Sequence, residues 1–412
     1  MEHLGIFINN NINKKTLITA LLNGQILDSL VGKKIEIFSD IRLLELIDFE
    51  NKFGRTDLKL NTNPSLISLS AGEQKKALLQ HCLLQNPDYL ILDNPFDNLD
   101  IASQTHLKIE LKQIAQKISL IQLVNRKVDL LDFISEKAFI NDKNEFQFIE
   151  ANSGNEYLEN AENENEFYRK FPEPSQNILY KKNEIFSFEN VNVKYNEKPI
   201  LDQITWHVKK GDYWQLKGPN GSGKTTILSM IIGDNPKAFG QEISIFGNKK
   251  GTGESVWELK KRIGYFTPSM ISLFARNTSL LHMVVSGIFD SIGLYSMPTE
   301  RQLRLANEWL NLINLQHLAT KPFHQLTIGQ QRIAMIARAM IKHPPLLILD
   351  EPTAALDDHN ALIISKLINK IAAESSTTII YVSHRKEPGL SPKFVFELTP
   401  SRAGSTGKIV LA

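Results

Sequence analysis

The sequence predicts an α/β fold of two consecutive domains, each a mainly parallel sheet flanked by helices, with the first domain reduced. Two observations predict it. A glycine-rich stretch, residues 218–226, lies between an apolar run typical of a strand (213–216) and one typical of a buried helix start (227–232). A second motif, together with the strand after it, occurs twice along the chain.

The glycine-rich stretch is Gly-Pro-Asn-Gly-Ser-Gly-Lys-Thr-Thr. Gly218, Gly223, Lys224 and Thr225 fill the pattern G-x-x-x-x-G-K-[ST], in which backbone N–H groups surround phosphates, the lysine neutralises the outer ones and the hydroxyl ligates Mg²⁺. The strand before it and the helix after it are the context that such a loop needs. The second half of the chain is therefore predicted to bind a nucleotide through its phosphates.

The repeated motif is Leu-Ser-Ala-Gly-Glu-Gln at 69–74 and Leu-Thr-Ile-Gly-Gln-Gln at 326–331. Each copy leads into a helical pattern, a proline turn and an apolar strand that ends in aspartate. Gly72 and Gly329 are 257 positions apart, and so are Asp93 and Asp350. Equal spacing predicts the same architecture in both halves.

The amino-terminal half has no intact phosphate loop. An offset of 209 aligns residues 9–17 with the working loop and places Lys15 and Thr16 beneath Lys224 and Thr225, but the glycines are missing. Without glycine, backbone with φ > 0 is penalised and side chains obstruct the phosphates. Either this loop has decayed or Lys15 and Thr16 simply open a helix, and the long-range spacing favours decay.

The two offsets, 257 and 209, differ by 48, so the first half is shorter by that many residues between its loop and its motif. We expect a subdomain to be reduced there. Residues 152–183 are rich in Glu and Asn, followed by Phe-Pro-Glu-Pro, which is typical of a solvated linker. The predicted organisation is a shortened, degenerate domain at 1–150, an acidic linker at 151–183 and a complete domain at 184–412.

Composition excludes several classes. The 412 residues carry a net charge of only +2, which gives no attraction to nucleic acid or anionic membranes. Cys82 is the only cysteine, so no intramolecular disulfide can form and a reducing cytoplasm fits best. No uncharged run approaches the roughly 20 residues that cross a bilayer. A cytoplasmic protein without a membrane span is predicted, peripheral at the inner face if it serves a membrane.

A Leu-Ser-x-Gly motif ahead of a strand ending in aspartate, in a chain with a phosphate loop, resembles the ATP-binding cassette (ABC) ATPases. The resemblance covers nearly the whole chain. It implies the P-loop NTPase fold, two tandem cassettes, ATP hydrolysis, and ATP with Mg²⁺ as ligands. In this family two cassettes pack head to tail, so that each ATP is held by the loop of one cassette and the signature motif of the other.

The resemblance implies one complete site, made from the loop of the second half and the signature of the first. The catalytic candidates are Glu351, which would polarise the attacking water, His384, which would contact the γ-phosphate, and Lys224. Thr225 and Asp350 would hold Mg²⁺. The implied nucleotide-binding residues are Tyr195 (stacked on adenine), Gly218, Pro219, Asn220, Gly221, Ser222, Gly223, Lys224, Thr225, Thr226, Asp350, Ser70 and Gly72.

The other site would combine Asp93 and the amino-terminal loop with the signature at 327–329. It has Asn94 in place of the glutamate, Asn125 in place of the histidine and Ile328 inside the signature. An amide cannot accept the proton of the attacking water at neutral pH. Counting back by 209 from Tyr195 gives a negative position, so we expect no adenine-stacking segment in the first cassette. We expect one hydrolytic site and one silent site.

Two further features bear on the biological role. The family normally carries a glutamine near the strand at 263–266, where it senses Mg²⁺ and couples to a membrane partner, but residues 265–269 are Tyr-Phe-Thr-Pro-Ser. Coupling to a transporter is therefore in doubt. The segment 285–295 resembles the tandem ATP-binding proteins that are associated with molybdate transport, also called photorepair proteins.

The leading functional prediction is an ATPase whose ATP-driven closure acts on an unidentified partner, a membrane transport subunit on a separate chain being one candidate. The alternatives are a soluble ABC factor acting on DNA or the ribosome, and an ATP-gated binding module with negligible hydrolysis. The near-neutral charge argues against a nucleic-acid partner, and Glu351 with His384 argues against the binding module. Because one chain carries both cassettes, intramolecular pairing in a monomer is expected.

Overall fold

The computed structural model describes residues 2–54, 58, 65–141, 145–149, 169–174, 180, 182–383 and 387–411. The chain divides into two compact units. The first comprises Met1–Asn163 together with Ala354–His359, and the second comprises Glu164–Thr353 together with Asn360–Ala412.

The first unit is built on one six-stranded sheet in the order β2-β3-β4-β1-β5-β6. Its strands are β1 (Leu4–Phe7), β2 (Ile35–Phe38), β3 (Tyr89–Asp93), β4 (Ser119–Val124), β5 (Glu136–Ile140) and β6 (Phe146–Phe148). Its helices are α1 (Lys14–Leu22), α2 (Asp40–Phe53), α3 (Ala71–Leu84) and α4 (Ile101–Ile114). All strand pairs are parallel except β5 with β6. Because helices cover both faces, the central strands are continuous apolar runs, and Leu90, Ile91 and Leu92 are completely buried.

The second half of the chain forms two sheets. Its strands are β7 (Glu184–Tyr195), β8 (Lys198–Lys209), β9 (Tyr213–Lys217), β10 (Glu242–Ile245), β11 (Asn248–Lys249), β12 (Ile263–Phe266), β13 (Leu346–Asp350), β14 (Thr378–Val382), β15 (Phe394–Thr399) and β16 (Thr406–Leu411). Its helices are α5 (Lys224–Ile232), α6 (Val256–Lys261), α7 (Leu280–Ser286), α8 (Glu300–Leu312), α9 (Ile328–Met340) and α10 (Asp358–Glu374).

The larger sheet of the second unit has the order β12-β13-β14-β9-β15-β16, which is the strand order of the first unit repeated. Here too only the last pair, β15 with β16, is antiparallel. The predicted fold class, two α/β domains with mainly parallel sheets flanked by helices, is confirmed.

The second sheet, β11-β10-β7-β8, is antiparallel, and the described residues of the first unit contain no counterpart of it. Between the loop and the signature helix, the second unit contains β10 to β12 and α6 to α8, whereas the described part of that interval in the first unit contains β2 and α2. Within the described residues, this interval therefore holds fewer strands and helices in the first unit than in the second.

Both signature motifs start a helix in the same way. Ser70 caps α3 and Thr327 caps α9, and in each case the side chain three residues later, Glu73 or Gln330, bonds back to the backbone N–H of the cap. These reciprocal bonds satisfy backbone donors that a helix start leaves unpaired. The hydrogen bonds from Ser70, led by its hydroxyl, hold the pKa of the Glu73 carboxyl below its ordinary value.

The segment at 285–295 begins at the end of α7 and is hydrogen-bonded to the signature helix α9. The guanidinium of Arg338 in α9 donates from Nε to Ser286 Oγ at 3.1 Å and from Nη2 to the Ser291 carbonyl oxygen at 3.0 Å. Gly287 lies so close to α9 that a Cβ atom would stand 2.1 Å from the carbonyl oxygen of Arg338. The Ser-Gly pair in this segment therefore has a packing role.

Gly287→Ala is expected to lower the free energy of unfolding by about 2 kcal/mol, because the added methyl group must push two helix backbones apart. Urea denaturation of the purified protein measures this. Tyr295→Ala, at a side chain that is 88% exposed in the same segment, is the matched control and should change stability by less than about 0.5 kcal/mol. A similarly small change for Gly287→Ala would contradict the close approach.

None of the helices in the described part of the chain combines the length and the apolar character that a bilayer crossing requires.

Candidate nucleotide site

The glycine-rich loop connects β9 to α5 at the carboxyl edge of the larger sheet. Gly221 and Gly223 have φ values of +75° and +90°, the left-handed region that only glycine adopts at little cost. A Cβ atom on Gly218 would lie 2.6 Å from Ser222 Oγ. Successive backbone N–H groups in such a loop, followed by a helix amino terminus, make an anion-binding concavity. These features fit a phosphate chain.

Next to the loop is a cleft with a volume of about 470 Å³, within the usual range for small-molecule sites. It is lined by Tyr195, Ile200, Asn220, Gly221, Gly223, Lys224, Thr225, Thr226, Thr267, Pro268, Asp350 and Glu351. The structure thus brings the predicted adenine platform, phosphate loop, metal ligands and catalytic glutamate to one cleft. Gly218, Pro219 and Ser222 lie in the same loop, and Ser222 is buried beneath it.

Lys224 is the first residue of α5 and is almost buried. Its Nζ donates to the carbonyl oxygens of Gly218, at 2.8 Å, and Pro219, at 2.9 Å. These bonds hold the ammonium group against the loop, where it lines the cleft. A fixed positive charge at this place suits phosphate oxygens.

Asp350 is the last residue of β13, and Glu351 follows it with a φ of +49°. The backbone N–H of Glu351 donates to the Val382 carbonyl oxygen of β14 at 3.0 Å, which continues the strand pairing past the aspartate. Burial, followed by the nearby charge of Asp350, raises the pKa of the Tyr265 phenol to about 12, so this neighbour stays neutral. The two carboxylates and Thr225 are oxygen ligands and hydrogen-bond acceptors of the kind that Mg²⁺ and its waters need.

Tyr195 ends β7 and remains 40% exposed at the cleft. Its hydroxyl oxygen accepts a hydrogen bond of 2.9 Å from the side-chain amide of Asn235, and the same amide nitrogen donates to Ser229 of α5 at 2.9 Å. Lys237 Nζ lies 5.9 Å from the centre of the Tyr195 ring. The aromatic ring is thereby tied to the helix that begins with Lys224.

Not every predicted site residue lies at this cleft. His384 falls outside the described residues. Ser70 and Gly72 belong to the first unit, where Ser70 caps α3 with an exposed side chain and Gly72 follows it in the first turn.

Comparison with known proteins identifies the family. Residues 201–354 match the family model described as ABC transporter. ABC transporter ATP-binding protein ModF of Escherichia coli is 37% identical over 331 residues, which are 77% of this chain and 67% of that protein. This chain is an ABC ATPase. An uncharacterized ABC transporter ATP-binding protein of Schizosaccharomyces pombe is 28% identical over 327 residues, 78% of this chain and 66% of that protein. The chain thus spans about two thirds of the length of these relatives.

Among solved structures, cbiO1 from Clostridium perfringens, part of the ABC transporter complex cbiONQ, matches with a TM-score of 0.47 and 26% identity. The match covers 55% of this chain and 87% of that one.

In the first cassette, the structure corrects the alignment of the amino-terminal loop by one residue. Leu4 of β1 pairs with Ile121 of β4 in the same register in which Trp214 of β9 pairs with Ile380 of β14. Helix α1 accordingly begins at Lys14, as α5 begins at Lys224. Lys14 therefore takes the position of the phosphate-loop lysine, and the assignment of Lys15 and Thr16 to the positions of Lys224 and Thr225 is wrong.

The backbone of this loop differs from that of the working loop. Asn13, the counterpart of Gly223, caps α1 with a φ of −74°, whereas Gly223 has a φ of +90°. Its side chain accepts the backbone N–H of Thr16. The left-handed turn that directs N–H groups towards phosphate is therefore missing at this position.

In the first cassette, the side chains at the positions of Asp350, Glu351 and His384 form bonds within their own cassette. Lys14 Nζ forms an ion pair of 2.8 Å with Asp93, whose side chain is only 6% exposed. Asn94 and Asn125 are buried, and the amide of Asn94 donates to the Asn125 carbonyl oxygen at 3.0 Å. The residues at the positions of Asp350, Glu351 and His384 are thus an ion-paired aspartate and two mutually bonded amides.

Sequence reasoning missed four residues at the cleft or behind it: Ile200, Thr267, Pro268 and Asn235. Thr267 and Pro268 directly follow β12. The missing family glutamine drew attention to this segment of the sequence, but it did not predict that these two residues line the cleft. Asn235 carries no sequence signal, because it reaches Tyr195 only through the fold.

Proposed function

We propose that this protein hydrolyses ATP with Mg²⁺ at one competent site, built on the second cassette and completed by the signature motif of the first. The observation that carries the proposal is the cleft that Lys224, Thr225, Asp350, Glu351 and Tyr195 share. Each of these residue types stands where the family resemblance assigns it a role. On this proposal the functional domains are 1–150 and 184–412, joined by the linker 151–183.

In the proposed site, the loop N–H groups from Asn220 to Thr225 and the ammonium of Lys224 hold the β- and γ-phosphates. Thr225 and Asp350 hold Mg²⁺, which when bound neutralises charge that develops on the phosphates. The carboxylate of Glu351 orients and polarises the attacking water, and His384 contacts the γ-phosphate. Tyr195 offers its ring to the adenine, with its hydroxyl fixed by Asn235.

Ser70 and Gly72 close over the γ-phosphate in this proposal, as the head-to-tail arrangement of the family implies. Ser70 has the exposure that this role needs, and its hydroxyl is directed by Glu73, to which it donates at 2.6 Å. A monomer in which the two cassettes pair within one chain follows from the same arrangement.

The first cassette contributes no catalysis of its own in this proposal. The ion pair of Lys14 with Asp93 and the amide pair of Asn94 with Asn125 support this assignment, since neither offers a base at the position of Glu351. The φ of Asn13 supports weak or absent phosphate binding.

We further propose that the ATP-driven cycle acts on a partner at the cytoplasmic side. The printed names of the relatives, which are transporter ATP-binding proteins, support a membrane transport subunit on a separate chain. Residues 265–269 contain no glutamine, and Thr267 and Pro268 line the cleft there, which favours the alternative, a soluble ABC factor that does not couple to a transporter.

Equilibrium dialysis with Mg²⁺ and a slowly hydrolysed ATP analogue tests the proposed inequality of the sites. We expect saturation at one nucleotide per chain. Two nucleotides per chain with similar affinity would refute a silent first cassette.

A further inference from the structure

We propose that Arg332 is a positioning residue that holds the carboxylate of Glu351 in its catalytic direction. This inference rests on the proposed function, because it assumes that Glu351 is the general base. The residue lies outside the phosphate loop and outside the four signature residues at 326–329, in the second turn of α9.

Glu351 needs such support because its backbone is strained. Its φ of +49° lies in the left-handed region, where a residue other than glycine, asparagine or aspartate is uncommon and energetically unfavourable. Asn94, its counterpart in the first cassette, has a φ of +42° but is a residue type that tolerates this conformation. A glutamate in this place persists only where its surroundings fix it.

Arg332 supplies that fixation. Its side chain is buried, and Nη1 donates to the carbonyl oxygens of Glu351, at 3.1 Å, and of Pro352, at 3.2 Å. A charged donor shared by two successive carbonyls fixes the peptide plane between them. Because the Glu351 N–H is already bonded to the Val382 carbonyl oxygen, the backbone is held on both sides of the Glu351 Cα, which fixes the direction in which the side chain leaves the backbone.

The first cassette provides an internal comparison. Lys75 stands five residues after its cap Ser70, as Arg332 stands five residues after Thr327. Its Nζ bonds to the carbonyl oxygens of Pro95, at 3.2 Å, and Asp97, at 2.7 Å, and pairs with Asp40 at 3.0 Å.

Lys75 and Arg332 therefore bond to the backbone at different positions relative to the end of the strand. The contacts of Lys75 begin one residue after Asn94, whereas those of Arg332 begin at Glu351 itself. Asn94 is held through its side-chain amide by Asn125. Only in the second cassette does the side chain at this helix position bond to the carbonyl oxygen of the residue proposed as the base, Glu351.

Arg332 acts on turnover and not on nucleotide binding. The residues that line the cleft include Glu351 but not Arg332. Weakening the bonds from Arg332 to the two carbonyl oxygens should misdirect the Glu351 carboxylate while the phosphate loop, Tyr195 and the metal ligands stay in place.

Arg332→Lys is the most informative variant, because the first cassette shows that lysine can bond to the proline carbonyl at this position. We expect kcat for ATP hydrolysis to fall at least tenfold, with the Kd for ATP within twofold of wild type and an unchanged thermal midpoint. Lys75→Arg is the matched control and should leave kcat within twofold. Arg332→Gln, which keeps a donor but removes the charge, should show the same loss of kcat with retained ATP binding.

Wild-type kcat in folded Arg332→Lys and Arg332→Gln would overturn the inference. A parallel loss of kcat, ATP affinity and thermal stability in both variants would also overturn it, in favour of a purely structural arginine. The proposed function is judged separately by Glu351→Gln: if that variant is inactive while both Arg332 variants are normal, only the positioning role fails. If Glu351→Gln turns over normally, the general-base assignment fails first.

Discussion

Glu351→Gln is expected to lower kcat for ATP hydrolysis by about a hundredfold or more while ATP remains bound. The amide keeps the shape and the backbone contacts of the side chain but cannot accept a proton from the attacking water. Phosphate release measures turnover, and the nucleotide retained after rapid gel filtration measures the trapped ATP.

Asp93→Asn is the matched control in the first cassette and should change turnover only a few-fold. Asp93 pairs with Lys14 within its own cassette, so its substitution removes an ion pair and not a metal ligand of the proposed hydrolytic site. Comparable losses of kcat from Glu351→Gln and Asp93→Asn would contradict the unequal roles of the two cassettes.

Lys224→Met is expected to weaken ATP binding at least thirtyfold, equivalent to about 2 kcal/mol, because charged hydrogen bonds to phosphate are lost while the apolar stem is kept. Titration calorimetry or a fluorescent ATP analogue measures the Kd. Lys14→Met, at the structurally equivalent position, should leave the Kd within twofold, since Lys14 is engaged with Asp93. If both substitutions weakened binding equally, the first loop would have to hold phosphate.

Much of the fold and of the candidate site could be predicted from the sequence. The phosphate loop is a local pattern whose glycines are required by the backbone conformation, so the residue types alone predict the conformation of the loop. The constant spacing of the two signature motifs and their aspartates predicted the repeated sheet, which the identical strand orders confirm.

The amino-terminal loop could not be placed correctly because its glycines, the residues that fix a register, are gone. Matching Lys15 and Thr16 to Lys224 and Thr225 selected Lys15, whereas the structure places the neighbouring Lys14 at the position of Lys224. The register of β1 on β4 resolves it, and this is a long-range contact that a run of Asn and Lys does not encode.

The hydrogen bonds that hold Tyr195 and Glu351 in place could not be predicted from the sequence either. Asn235 fixes the Tyr195 hydroxyl from 40 residues away, and Arg332 reaches the Glu351 carbonyl across the space between a helix and a strand end. Both contacts depend on how the elements pack, and neither residue type is distinctive in its local context.

The division of labour between the cassettes is tested most directly by the ATPase rates of Ser70→Arg and Thr327→Arg. Both substitutions remove the same kind of helix cap, at a cost of about 1 kcal/mol, so stability is matched between them. We predict that Ser70→Arg abolishes hydrolysis, although Ser70 is 154 positions before Lys224 in the sequence, and that Thr327→Arg leaves the rate within a few-fold of wild type. Normal hydrolysis by Ser70→Arg, with loss of hydrolysis in Thr327→Arg, would contradict it.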